Sequence, residues 1–302
     1  MNTFWQGVLP AITTPFLDNG EVDHDFLARH VDLLMQAGST GIVPLGSLGE
    51  TATLSTDEKR AVLRTVVRAV AGRGAVVPGV AALATADAVR FAQIAQAEGC
   101  SGLMVLPPYV YSTDWREMKA HVSAVIAATP LPCMLYNNPI AYRTDFSALQ
   151  MQELADAHPN LEAVKESSAD VRRIAAIKAT MGSRLQILVG VDDLIVEGIA
   201  AGATGWVAGL VNAFPHESIQ LFKLARAGRW AEAEPLYHWF LPLLRMDVVP
   251  KFVQLIKLVQ SRVDLGRPTV RAPRLMLAGD ELAQANAAIT EALAHLPALG
   301  AI

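Results

Sequence analysis

The chain is short of cysteine, of net charge and of clustered histidine, and each shortage argues against a class of function. Only two cysteines occur in 302 residues, Cys100 and Cys133. Neither has CxxC or Cys/His spacing, so neither a disulfide framework nor a zinc site organises the fold, and reduced thiols in a cytoplasmic setting are expected. Twenty-five Lys and Arg against 29 Asp and Glu leave a formal charge of -4 and a pI near 6.0. That balance offers no basic field for nucleic acid or an anionic membrane, and a small-molecule partner is the default. The seven histidines (His24, His30, His121, His158, His216, His238 and His295) form no HxxxH or HxH pair, so no metal is expected. The N-terminus has neither the basic start nor the long apolar stretch of a signal peptide, so export is not expected.

Phosphate and nucleophile motifs are missing too. "PLGSLGET" at residues 44–51 has no lysine after Gly49, as a P-loop would, and carries Leu45 where a G-x-S-x-G elbow needs glycine. No G-x-G-x-x-G opens a first helix, and no cofactor is expected. One uncharged stretch of 18 residues, Gly198 to Pro215, approaches the ~18–20 needed to cross a bilayer. Its four glycines, with Thr204, Asn212 and the closing proline, suit a helix end, a turn, a buried strand and a loop instead.

What is present is 52% hydrophobic residue, distributed as eight short apolar runs. They begin at Gly7, Gly41, Ala75, Gly102, Pro132, Leu161, Leu185 and Gly205. Between them lie patterns of helical period, such as Phe26, Leu27, His30, Val31, Leu34 and Met35, or Val62, Leu63, Val66, Val67 and Val70. Ser55 with Glu58 three residues on reads as a capping box. Runs rich in Val, Ile and Leu without strict alternation suit strands buried on both faces. Eight such units predict an α/β fold, a (β/α)8 TIM barrel over residues 1–230, with a C-terminal helical extension over 231–302. The segment from Pro215 to Leu244 reads as the last barrel helix and its continuation. A doubly wound open sheet is the alternative.

In a barrel of this kind the chemistry lies at the C-terminal ends of the strands. Those ends carry Thr13 and Thr14, Ser47, Tyr109, Tyr136 with Asn137, Lys165 with Glu166, Gly190 with Asp192, and Gly209. Lys165 closes an apolar strand, where desolvation would lower its pKa and leave an amine able to add to a ketone. The competing reading is a lysine that reaches solvent or pairs with Glu166. Tyr136, by itself a core residue, ends the preceding strand and could shuttle protons to that amine. Asp192 and Asp193 would repel a phosphate, which favours an uncharged or hydroxylated substrate tail.

"GSLGET", "LYNNP" and "VKESS", in this order and at these intervals, resemble the dihydrodipicolinate synthase / N-acetylneuraminate lyase family of Schiff-base-forming class I lyases. The resemblance runs from Gly7 through the helix after Gly209. It implies a (β/α)8 barrel with a C-terminal helical extension, assembled as a homotetramer of two dimers, acting on pyruvate or another 2-oxo acid. It implies that Lys165 forms the Schiff base, that Tyr136 is the acid/base hydroxyl, and that Ser47 relays protons to it. The backbone amides of Ser47 and Leu48 suit the substrate carboxylate, the backbone at Val207 lies over the pyruvyl group, and Gly190 lines the pocket beyond. Asp192 falls where sialate lyases carry acidic residues for substrate hydroxyls.

Three positions depart from the family pattern. Leu48 replaces a second hydroxyl, Arg143 stands seven residues past Tyr136 where the synthases carry an arginine at five, and Val110 stands where they place a tyrosine lent to a neighbouring subunit. These departures favour retro-aldol cleavage or dehydration of a 2-keto-3-deoxy sugar acid, or hydroxyproline-type catabolism, over the 4-hydroxy-tetrahydrodipicolinate synthase reaction. A barrel that binds a 2-oxo acid without turning it over, and a metal-dependent aldolase, are the alternatives of other classes.

Overall fold

A computed structural model describes residues 4–108 and 114–299; Tyr109, Val110 and Tyr111 lie outside the described residues. Its strands are β1 (Gly7–Pro10), β2 (Gly41–Ile42), β3 (Ala75–Val76), β4 (Gly79–Val80), β5 (Leu103–Val105), β6 (Cys133–Asn137), β7 (Leu161–Glu166), β8 (Gln186–Val189) and β9 (Gly205–Ala208). All pair in parallel, in the order β1-β9-β8-β7-β6-β5-β4, with β2 and β3 forming a separate pair. β3 and β4 occupy one barrel position. Pro78 interrupts them because it has no N–H to give to the ladder, although its carbonyl still accepts from Met104 N at 2.9 Å.

Backbone hydrogen bonds close the remaining seam. Thr40 N donates to Val8 O at 3.0 Å, Val43 N to Pro10 O at 2.8 Å and Gly79 N to Pro44 O at 2.9 Å, and Ala11 bridges Val43 in parallel. The nine short strands are therefore the eight expected positions of a (β/α)8 barrel. Their side chains are almost wholly buried, as a sheet covered by helices requires.

The helix Thr56–Val70 opens with the expected capping box: Ser55 Oγ accepts from Glu58 N, and Glu58 accepts from Ser55 N. The uncharged stretch resolves into the helix Ile195–Ala200, β9 and a 3-10 turn, Leu210–Asn212. Among the described residues no helix is long and apolar enough to cross a membrane. The segment after Phe214 holds the last barrel helix and a second helix that continues from it. It splits into Pro215–Arg226 and Trp230–Leu244, because Gly228 takes a φ of +69°, a left-handed angle that ends a helix. The helices Phe252–Arg262 and Gly279–Ala294 follow, and Phe240, Leu243, Val253, Ile256 and Ile289 join the barrel's apolar core.

Candidate active site

The parallel register places Tyr136 on β6 directly beside Lys165 on β7. Both stand near the carboxyl ends of their strands, and both are buried, at 5% and 7% exposure. The Lys165 Nζ lies 4.2 Å from the centroid of the Tyr136 ring. Alternation along β7 sends Glu166 to the other face. There it accepts from Asn137 Nδ2 at 3.0 Å and from Ser168 N at 2.7 Å, so Lys165 neither pairs with Glu166 nor reaches solvent.

Burial pulls the Lys165 ammonium down to about 8, against the opposing pull of the Asp247 and Asp192 carboxylates. Roughly a tenth of the amine is thus unprotonated at pH 7, against far less than a hundredth for an ordinary lysine. Burial drives the Tyr136 phenol up to about 12, which keeps its proton in place. Asn138 Nδ2 donates to the Tyr136 hydroxyl at 3.0 Å, leaving that proton free to be given elsewhere.

Two of the glycines singled out above are room for other side chains. A Cβ on Gly190 would fall 2.5 Å from Lys165 Cε and 2.1 Å from Ser167 Oγ, and one on Gly209 would fall 2.1 Å from an Asp247 carboxylate oxygen. Val207 lies buried on β9, opposite Leu9 of β1.

Ser47 stands across the barrel mouth, since the second and sixth strand positions are opposite in a ring of eight. Its hydroxyl bonds to the hydroxyl of Tyr142 and not to Tyr136. Tyr142 in turn meets the Tyr136 ring edge-on at 5.7 Å between centroids. Leu48 is buried at 4% exposure. Neither the Ser47 nor the Leu48 N–H is spent on a protein acceptor among the described residues, which leaves both donors available to a carboxylate.

The loop that carries them is held from outside. Leu45 and Glu50 have φ of +60° and +53°, angles that cost a non-glycine residue about 1–2 kcal/mol. Glu50 is anchored by a buried ion pair with Lys257 and by Arg271 N at 3.0 Å. Thr14 Oγ1 donates to Gly49 O at 2.7 Å. Thr13 Oγ1 donates to Gln260 at 2.8 Å, in a cluster where His30 bonds Asn212 at 3.1 Å.

Asp192 is not open to substrate, as its expected contact with substrate hydroxyls would require. It is completely buried, and its carboxylate accepts from Trp206 Nε1 at 2.8 Å, Gly209 N at 3.0 Å and Leu210 N at 2.8 Å. Its oxygens are occupied in shaping the exit of β9. Asp193 turns outward toward Arg245, 3.9 Å away. Arg143 is exposed, with a φ of +63°.

The structure adds three groups that the strand-end reading missed. Tyr142 arrives on the short helix Pro139–Tyr142, which Asn138 caps through Ala141 N; the Asn-Pro pair after β6 was the available signal for a turn back over the site. Asp247 comes from a 3-10 turn, Arg245–Asp247, in the C-terminal extension. A lone acid in "LLRMDVVP" carries no motif. Ser167 Oγ is buried beside Lys165, close enough to the Tyr136 hydroxyl to favour its ionised form. Among the described residues no group of three His, Cys, Asp or Glu could hold a metal.

The family model described as the dihydrodipicolinate synthetase family matches residues 4–292. A 4-hydroxy-tetrahydrodipicolinate synthase from Rhizobium meliloti is 32% identical over 291 residues, 96% of this chain and 98% of the relative. A dihydrodipicolinate synthase structure from Bacillus anthracis superposes with a TM-score of 0.91 at 26% identity, covering 97% and 99% of the two chains. The structure of YagE from E. coli K12, a prophage protein of the same family in complex with pyruvate, superposes with a TM-score of 0.88 at 26% identity, covering 95% and 98%.

Proposed function

The chain belongs to the dihydrodipicolinate synthetase family, whose members are lyases of the class I aldolase type, and on that premise we propose that it forms a Schiff base between Lys165 and the ketone of pyruvate or a longer 2-oxo acid. The observation that carries this reading is a buried lysine, its amine lowered to about 8, set over the ring of a protonated tyrosine on the next strand. The neutral amine adds to the carbonyl carbon. The Tyr136 phenol gives its proton to the departing carbinolamine oxygen, and water leaves. The resulting iminium draws electrons from the neighbouring carbon and permits aldol cleavage, aldol addition or loss of water. The Ser47 and Tyr142 hydroxyls form a pair beside the Tyr136 ring, and the free N–H groups at Ser47 and Leu48 seat the carboxylate. Val207, Gly190 and Gly209 line the space around the pyruvyl unit. Asp192 acts on the amine through its charge and on the pocket through the β9 exit.

The substrate proposed is a 2-keto-3-deoxy sugar acid or a related hydroxylated acid, because Leu48 and Arg143 depart from the synthase pattern at recognition positions. The synthase reaction is the second reading, favoured by the activity for which the Rhizobium meliloti relative is named. The reading includes a cytoplasmic enzyme, a homotetramer of two dimers, and a domain division near residue 230. Borohydride added with pyruvate is expected to leave a reduced pyruvyl mass on the peptide containing Lys165. The trapping rate should rise about tenfold per pH unit below about 8 and level off above it. An unmodified Lys165 would end the Schiff-base reading. Leu48→Thr is expected to move preference toward the synthase substrates, read as relative kcat/KM.

A further inference from the structure

Resting on that reading, we propose that Asp247 receives a hydroxyl on the substrate tail beyond the pyruvyl unit, so that the C-terminal extension selects hydroxylated 2-oxo acids. Asp247 lies directly over the Cα of Gly209, at the mouth end of β9, where only a glycine leaves it space. It is half-buried, and among the described residues its carboxyl engages no hydrogen-bond donor. Asp192, packed beside it, is the opposite case, with its oxygens already occupied by three donors. A polar group that is partly desolvated and unpartnered is the one a ligand donor stabilises most.

The charges around it fix which end of the substrate it meets. Burial, with repulsion from Asp192 and Asp193, holds the Asp247 carboxyl well above the usual range, against the pull of Lys165, the cation that acts on it. Tyr136 feels the same carboxyl. The Asp192 charge disfavours a second carboxylate near this wall, whereas the unspent N–H groups at Ser47 and Leu48 favour one. A 2-oxo acid bound at Lys165 is therefore oriented with its carboxylate toward Ser47 and its tail toward Asp247. A hydroxyl accepts from the protonated Asp247 carboxyl or donates to its ionised form, and either way gives it the partner it lacks. A bare alkyl tail does neither and leaves the carboxyl desolvated.

The test is rapid-quench borohydride trapping on the full-length protein, read from the mass of the intact adduct on Lys165. Half-saturating concentrations are compared for a six-carbon 2-keto-3-deoxy sugar acid and for 2-oxohexanoate, its unhydroxylated analogue, each relative to pyruvate. Taking the ratio within one protein cancels any general effect of a substitution on the amine. Wild type is expected to favour the hydroxylated acid. Asp247→Ala should erode that preference by roughly ten- to a hundredfold, and Asp247→Asn, which keeps the shape, by less. An unaltered ratio in both variants overturns the proposal, as does a structure of the trapped sugar-acid adduct with its hydroxyls out of hydrogen-bonding reach of Asp247. Failure of the wild type to trap pyruvate at all would instead remove the Schiff-base reading beneath it.

Discussion

Tyr136 and Lys165 stand in register on adjacent strands, whereas Ser47 and Leu48 stand on a loop whose flanking residues, Leu45 and Glu50, take left-handed backbone angles. The first pair is positioned by ladder hydrogen bonds that β-rich sequence forms of its own accord. The second is positioned by a distant element: Lys257, 207 residues along the chain, holds Glu50 through an ion pair in which both side chains are at most 2% exposed. One wall of the pocket is carried by the sheet itself, and the other is braced by the C-terminal extension through Lys257 as well as by Thr14. The difference teaches that chemistry and substrate seating can fail separately.

Four changes would break or sharpen this contrast. The largest effect is expected on the strand side: Tyr136→Phe should lower turnover by about 10²–10⁴-fold, with a melting temperature close to wild type, by steady-state kinetics and thermal unfolding. On the loop side, Lys257→Met leaves Glu50 buried without its main counter-charge. It should cost about 3–5 kcal/mol of stability in denaturant unfolding, and Glu50→Gln in the same chain should recover part of that loss. If Lys257→Met left the stability unchanged, the loop would not depend on the extension.

The third change is acidity. Burial lowers the His30 imidazole from 6.5 to about 4, so between those values the unfolded chain binds a proton that the folded chain does not. Stability therefore falls as pH drops from 6.5 toward 4, by up to about 3 kcal/mol from this residue. The His30→Gln protein should lose less stability over that window, measured as the difference between the two melting curves. Last, Tyr142→Phe removes the hydroxyl that meets Ser47 and should slow turnover by about tenfold. An equal rate would show that this bond is structural.

The same contrast explains what was legible in the sequence. β-rich runs, the capping box at Ser55 and Glu58, and the strand-end positions of Tyr136 and Lys165 are local features, and local patterns specify them. The division of the third position around Pro78 and the helix break at Gly228 were also written locally, but as single residues inside longer patterns. Asp247 and the Glu50–Lys257 pair were not legible, because a carboxylate or an ammonium in an apolar segment carries no mark of its partner across the fold. Asp192 shows the converse. Its place beside the pocket followed from β8, while its engagement by Trp206, Gly209 and Leu210 depends on how the next strand leaves the barrel.

The separation of Glu50 from Lys257 also imposes an order in time. A chain emerging N-terminus first presents Ser47, then Tyr136 and Lys165, before the lysine that fixes the Ser47 loop has been made. During that interval the amine proposed to bond the ketone and the loop proposed to seat its carboxylate are not yet braced against each other. On the proposed reading, a chain cut before Lys257 would keep its nucleophile and lose the brace on the loop that seats the carboxylate.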